Sequence, residues 1–145
     1  MKIRTSIVAA GAAVVLGGTA ALALPAVAST HSATHTLRFI AVTARSVPFT
    51  ATTEGLQDTD VNSAGKTIGF DDLYLTFTGR TTGKGDVAVV VKGGFLYGTI
   101  ATGNAGQTFS GKVTGGTGAF AKATGKISAK AVTAQKTAVT ITYTS

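Results

Sequence analysis

Hydrophobic and polar residues alternate in short runs over most of the chain, a pattern typical of β-strands with one face in a core and one in solvent. Signals for helices are almost absent after residue 28, and the runs are rich in Thr, Val, Ala and Gly. Glycine clusters separate the runs. We therefore predict eight strands, at approximately 37–44, 47–54, 68–78, 86–92, 95–101, 107–113, 126–133 and 137–143.

The two-residue period also assigns side chains to the faces of a strand. Tyr143 of the eighth strand shares a face with Val139 and Ile141. Asp71 shares a face of the third strand with three apolar residues, Leu73, Leu75 and Phe77. Both polar side chains are therefore expected on faces that point towards the core.

Short glycine-bearing segments at 82–85, 92–94 and 102–106 are typical of hairpin connections. Consecutive hairpins form a meander, and an even number of meandering strands with one apolar face closes readily into a barrel that has no free edges. We predict an all-β fold, an eight-stranded antiparallel closed barrel. An open two-sheet sandwich is the alternative.

The first 28 residues have the organisation of a secretory signal peptide. Lys2 and Arg4 precede an apolar stretch over 7–24, Pro25 ends it, and Ala26-Val27-Ala28 provides small residues for cleavage. A retained membrane anchor is less favoured, because a polar segment rich in Ser, Thr and His follows at once. We expect cleavage after Ala28 and a secreted, extracellular protein.

The expected organisation is a signal peptide at 1–28, a flexible tail at 29–36 and a single barrel domain at 37–145. The chain contains no cysteine, so the domain depends on its core without disulfides. Removal of the signal peptide leaves eleven Lys and Arg against six Asp and Glu, a net charge of +5.

The basic residues are scattered rather than clustered. They could attract the protein to an anionic surface, or they could keep the outer faces of strands soluble. The second interpretation is favoured, because no aromatic platform lies among the lysines of the C-terminal third. We predict no nucleic-acid partner, and no membrane association after cleavage.

A glycine-rich segment at 115–125 separates the sixth and seventh strands. It lacks the Lys-Ser/Thr pair and the helix start of a phosphate-binding loop. A structural role is favoured: glycines in a tight turn, with Phe120 closing one end of the barrel.

Four segments of the chain carry a resemblance to known proteins: 65–71 (GKTIGFD), 113–120 (VTGGTGAF), 123–125 (ATG) and 139–143 (VTITY). Together they resemble the allene oxide cyclase-like and dirigent-like barrel families over residues 47–143. The resemblance implies an eight-stranded antiparallel barrel, often dimeric or trimeric, whose interior binds a small, largely apolar molecule. Plant members steer cyclisation or radical coupling without a cofactor.

The chain also departs from these families. Leu75 stands where many relatives have a cysteine, and Val61 stands where an aromatic residue is common, although Asp58 and Asn62 match the polar residues before the glycine turn. The resemblance therefore carries the fold to this chain, and it does not carry a reaction.

Cofactor-free cyclisation requires an apolar cavity and one or two polar groups that move a proton or stabilise charge. Asp71 is the predicted acid or base and Tyr143 the predicted hydrogen-bond donor. The alternatives are a turn residue at the start of a strand for Asp71 and a core aromatic at the rim for Tyr143. The predicted ligand-binding residues are Leu73, Leu75, Phe77, Tyr97, Phe109 and Glu54. For Tyr97 and Glu54 the alternation does not decide whether the side chain points inward or outward.

Both histidines, His31 and His35, lie in the N-terminal tail, which argues against Ser–His catalysis and against a zinc site in the interior. If cleavage follows Ala28, the new terminus is Ser29-Thr30-His31. Its amine, amides and imidazole can hold copper(II) or nickel(II) in a square-planar set. A disordered leader with a histidine in third position by chance is the alternative. No cofactor is predicted for the barrel itself.

Two functions remain open. The leading one is a barrel that binds a small hydrophobic molecule and steers its cyclisation or isomerisation. The alternative is a non-catalytic extracellular module used for binding or self-association. Val87–Val91 is apolar on both faces, which predicts a homo-oligomer whose partner subunit covers its outside. Small inward residues leave room for a cavity: Ala41, Gly111, Ala129 and Ala131.

Overall fold

The structure, a computed structural model, describes residues 32–145. They form eight strands with two single 3-10 turns, at Asn104–Gly106 and Gly118–Phe120. The strands are β1 Thr34–Pro48, β2 Thr53–Val61, β3 Thr67–Phe77, β4 Gly83–Val91, β5 Gly94–Gly103, β6 Thr108–Gly116, β7 Thr124–Thr133 and β8 Lys136–Thr144.

The strands pair in chain order as an antiparallel meander, and β8 pairs with β1 to close the barrel. β1 is long enough to serve both neighbours: its first part, from Thr34 to Val42, pairs with β8, and Ile40–Pro48 pairs with β2. Because the ring is closed, every strand has two hydrogen-bonded partners and no edge is left free. The predicted closed barrel is confirmed, and the sandwich alternative is not.

The prediction for the second strand, at 47–54, is wrong. β1 continues to Pro48, and β2 occupies Thr53–Val61. The inward positions of β2 carry acidic residues as well as a leucine, so the alternation of apolar and polar residues does not mark this strand. β1 also begins at Thr34, which places the last residues of the predicted flexible tail in the sheet.

The core is the inner face of the barrel. Period two holds along β3, where Asp71 and Leu75 are buried and the intervening residues Asp72 and Tyr74 are exposed. The buried apolar residues are Phe39, Ala41, Leu75, Val87, Val89, Leu96, Ile100, Val113, Phe120, Ala123, Ile127 and Ile141.

One end of the barrel is closed by the connection between β6 and β7. Its 3-10 turn places Phe120 against the core, where the Phe120 and Tyr143 rings meet edge to face at 5.5 Å. Gly118 has a φ of +58°, and a Cβ there would clash with the Gly93 carbonyl oxygen. The glycines therefore let the connection lie directly on the β4–β5 hairpin, where the Ala119 amide donates to the Gly93 carbonyl at 2.9 Å.

The described residues contain no helix that is both long and apolar enough to cross a membrane. The predicted signal peptide and the segment Ser29-Thr30-His31 lie outside the described residues.

Candidate functional site

The barrel encloses a cavity of about 550 Å³. It opens at the end opposite Phe120, where the connections β1–β2, β5–β6 and β7–β8 lie. Its wall is mainly apolar and includes Phe39, Leu73, Val89, Ile100, Phe109 and Ile127. Two wider depressions of about 700 and 740 Å³ lie on the outer face of the sheet, where they are open to solvent.

Small side chains create the space inside. Ala41, Ala129 and Ala131 all line the cavity, on β1 and β7. Gly111, also predicted to leave room inside, does not line the cavity: it borders one of the outer depressions, and a Cβ there would meet the Thr99 carbonyl oxygen at less than van der Waals distance. An eight-stranded barrel can be filled by its own side chains, and here the alanines leave space towards its open end.

Three aspartates are buried in the barrel. Asp58 on β2 lies directly opposite Asp71 on β3, and Asp60 follows Asp58 on the same face of β2. Their exposed fractions are 7% for Asp58, 0% for Asp60 and 4% for Asp71. Asp58 and Asp71 line the cavity, whereas Asp60 lies one step closer to the closed end. Within residues 32–145, these three aspartates are the buried residues that have polar or charged side chains.

The aspartates lack the partners that buried carboxyls normally have. Asp58 Oδ1, Asp71 Oδ1 and both Asp60 side-chain oxygens are buried without a hydrogen-bond partner between residues 32 and 145. No lysine, arginine or histidine of that segment lines the cavity. An unpaired buried carboxylate costs several kcal/mol, so at least part of this group must hold protons.

Burial has the largest effect on the acidity of all three groups. Burial, followed by the negative charges of Asp60 and Asp58, raises the pKa of Asp71 to about 9. Burial also raises the pKa of Asp60 to about 6, and the Asp71 side chain lowers this pKa in part. The pKa of Asp58 is raised by burial and lowered in part by a hydrogen bond from Thr43. At neutral pH Asp71 is therefore a neutral acid beside a more readily ionised neighbour.

Several predicted site residues do reach the cavity. Asp71, Leu73 and Phe109 line its wall, and Glu54 lies at the open rim, where its carboxylate accepts a hydrogen bond from the Ser46 hydroxyl. Leu75 and Phe77 share the inward face of β3 and pack in the core, outside the cavity wall.

Two predicted site residues lie elsewhere. Tyr97 is on the outer face and 41% exposed, because the period of β5 turns its neighbours Leu96 and Gly98 inward. Tyr143 is at the closed end, packed between the rings of Phe120 and His35, and does not line the cavity. The structure thus does not bring Tyr143 and Asp71 together at the cavity wall.

Asp58 and Asp60 were not predicted as site residues. The sequence signal for these two residues is the alternation of Glu54, Leu56, Asp58 and Asp60. Residues two apart lie on the same face of a strand, so this inward face is mostly acidic. No group of three or more His, Cys, Asp or Glu side chains within residues 32–145 is arranged to hold a metal ion.

No protein-family model matches the sequence, and no curated protein matches it. Solved structures do share the fold. A pyocyanin demethylase superposes with a TM-score of 0.65 at 17% identity, covering 75% of this chain and 99% of the demethylase.

Two further barrels are similar to this chain. The Diels Alderase AbmU from Streptomyces koyangensis has a TM-score of 0.56 at 10% identity, covering 81% of this chain and 70% of the enzyme. The pterocarpan synthase dirigent protein GePTS1 has a TM-score of 0.54 at 16% identity, covering 80% of this chain and 86% of that protein. The resemblance to dirigent-like barrels seen in the sequence is thus confirmed at the level of the fold.

Proposed function

We propose that the barrel binds a small, largely apolar molecule in its interior and isomerises or cyclises it by proton transfer without a cofactor. One observation carries this proposal: an apolar cavity of about 550 Å³ has two buried carboxyls without complete hydrogen-bond partners in its wall. Pockets for small organic ligands have this size and this mixture of apolar lining with few polar groups. Each of the three similar barrels is named for chemistry on small molecules, which supports the proposal.

The paired carboxyls suit proton transfer in two directions. Asp71, protonated at neutral pH in the empty barrel, donates its proton to a basic atom of the bound molecule and remains beside that atom as a carboxylate. Asp58, opposite it in the register, accepts a proton from a second atom of that molecule. The composition of the ligand is then unchanged, as an isomerisation requires. Return of the proton from Asp58 to Asp71 restores the starting state.

Binding is tested with a matched pair of variants and a naphthalene probe. The chain has no tryptophan, so naphthalene fluorescence is read without that background. Ala129→Phe places a ring in the cavity, whereas Ala121→Phe places the same ring on an exposed position beyond Phe120. We expect at least tenfold weaker binding of naphthalen-1-ylmethanol by Ala129→Phe and an unchanged affinity for Ala121→Phe. Equal affinities in both variants would place binding outside the barrel and contradict the proposal.

Export is a separate part of the proposal. It is supported by the sequence of residues 1–28 and is tested by the intact mass of the protein recovered from culture medium. A mass matching residues 29–145 would support it. Such a terminus would also leave Ser29-Thr30-His31 free to bind copper(II) or nickel(II), which the same mass measurement detects.

Self-association is a second candidate function. Phe70, Val90 and Phe95 lie in one cross-strand row on the outside of β3, β4 and β5, and the Tyr97 ring stacks on Phe95 with centroids 6.1 Å apart. We call these four residues the outer aromatic surface. Phe70 is 56% exposed and Phe95 40% exposed. Contiguous exposed apolar surface of this kind marks interaction sites, and a second copy of the chain is the proposed partner.

A further inference from the structure

The acidic residues of this basic protein are concentrated inside it. The chain has six Asp and Glu against thirteen Lys and Arg. Glu54, Asp58 and Asp71 line the cavity, and Asp60 is buried behind them. Four of the six acids thus surround the interior, and the other two, Asp72 and Asp86, lie on the outer face. No basic residue of the described chain lines the cavity.

The chain itself offers this interior no compensating charge. Asp71 is faced on β4 by Val89 and on β2 by Asp58 and Asp60, and β1 contributes only the Thr43 hydroxyl. Asp58 Oδ1 and Asp71 Oδ1 are left without partners although both side chains are more than nine-tenths buried. Positive charge is what this cavity lacks.

We infer that the ligand is an apolar molecule bearing a protonated amine or another cationic nitrogen, which binds with its nitrogen at Asp58 and Asp71. This inference rests on the proposed binding function and names the class of ligand. A cation paired with a carboxylate in an apolar cavity gains a charge-assisted hydrogen bond. A carboxylate ligand would face only like charge, and an alcohol would supply a donor without the charge. Glu54 at the rim attracts the same cation towards the opening.

Three probes of similar shape separate these possibilities: naphthalen-1-ylmethanamine, naphthalen-1-ylmethanol and 1-naphthoate. We expect the amine to bind at least tenfold more tightly than the alcohol at pH 7, and the carboxylate to bind most weakly. In Asp58→Asn the ratio of amine to alcohol affinity should fall towards one. In Asp86→Asn, which removes an exposed acid on the outside of β4, the ratio should be unchanged.

A second measurement on the unmodified protein keeps the test independent of the stability of Asp58→Asn. A cation beside Asp71 favours its ionised form, so amine binding at pH 8 should release protons. Calorimetry in two buffers of different ionisation enthalpy detects that release. The alcohol should release none.

The outcomes separate the two proposals. An alcohol that binds in the cavity as tightly as the amine would overturn the cationic ligand and leave the binding function standing. Tightest binding by the carboxylate would do the same. If none of the probes binds, both the ligand class and the binding function are contradicted.

Discussion

Asp71 and Asp72 are adjacent in sequence and lie on opposite faces of β3. Asp72 is exposed on the outer face, and Asp71 is 4% exposed in the barrel, opposite Asp58. Burial and the neighbouring acids raise the pKa of Asp71 to about 9. One step along the strand therefore separates a solvated carboxylate from a buried acid that can donate a proton.

The buried acids make stability depend on pH. The pKa values of Asp60 and Asp71, about 6 and about 9, lie above the ordinary value of 3.8. The folded state therefore holds protons that the unfolded chain has released, so stability is greatest below about pH 4. We expect the free energy of unfolding to fall from about pH 4 towards pH 9. The slope is at most about 1.4 kcal/mol per pH unit for each carboxyl. Urea titrations at several pH values measure it.

The variant Asp71→Asn tests how much Asp71, whose pKa is raised the most, contributes to this dependence of stability on pH. An amide has nearly the shape of the protonated carboxyl and needs no proton, so the variant should be more stable than the wild type at pH 8, by about 1–3 kcal/mol. The dependence on pH above about 6 should also flatten. Asp86→Asn, on the exposed face of β4, is the control and should keep the wild-type profile. A wild-type slope retained in Asp71→Asn would mean that another group titrates.

At the scale of elements, β2 and the β6–β7 connection determine the two functional parts of the barrel. β2 supplies three acids to the interior, Glu54, Asp58 and Asp60, and tolerates them because its two neighbours provide the ladder hydrogen bonds. The connection closes the opposite end with Phe120, held by the Phe120 amide donating to the Thr117 carbonyl at 3.0 Å. Ligand access is therefore expected only from the end where Glu54 lies.

Removal of the Phe120 ring should destabilise the protein and open the closed end. Phe120 is 7% exposed and packs against Tyr143, so Phe120→Ala leaves a cavity and should cost about 3–5 kcal/mol. Phe49→Ala removes the same ring from a site that is 59% exposed and should cost less than about 1 kcal/mol. Thermal and urea unfolding measure both. Similar losses in the two variants would show that Phe120 does not seal the core.

In the whole molecule, the interior carries acidic side chains, whereas the exterior carries basic side chains and the outer aromatic surface. The closed ring leaves no strand edge for pairing between chains. Association of copies would therefore use side chains on the sheet face. Outside β4, Ala88 and Val90 are only half-buried in a single chain, which agrees with a covered face there.

Introducing charge into the outer aromatic surface should dissociate an oligomer. We expect light scattering after size-exclusion chromatography to show a dimer or trimer for the wild type. Phe70→Glu combined with Phe95→Glu should give a monomer, because both positions lie in the central row. Val132→Glu changes an apolar residue that is 61% exposed on β7, outside the surface, and should keep the wild-type mass. A wild type that is monomeric at every concentration would contradict the proposal.

The alternation of residues along the chain was sufficient for most of the architecture. Glycine turns and apolar faces identified a closed meander and seven of its eight strands, because local hydrogen bonding and period two depend on neighbours in sequence. The alternation also placed Asp71 on an inward face. It failed at β2, where Glu54, Asp58 and Asp60 take inward positions and no apolar face marks the strand.

Only the tertiary structure decided which of these residues share a site. The β2–β3 register places Asp58 against Asp71, and closure of the ring buries both and raises the pKa of each. The same closure left Tyr143 at the sealed end, away from the cavity. Facing and spacing along one strand are local properties of a sequence. By contrast, residues far apart in the chain determine which side chains pair across strands, which are buried and which share a cavity. These properties arise only when the barrel closes.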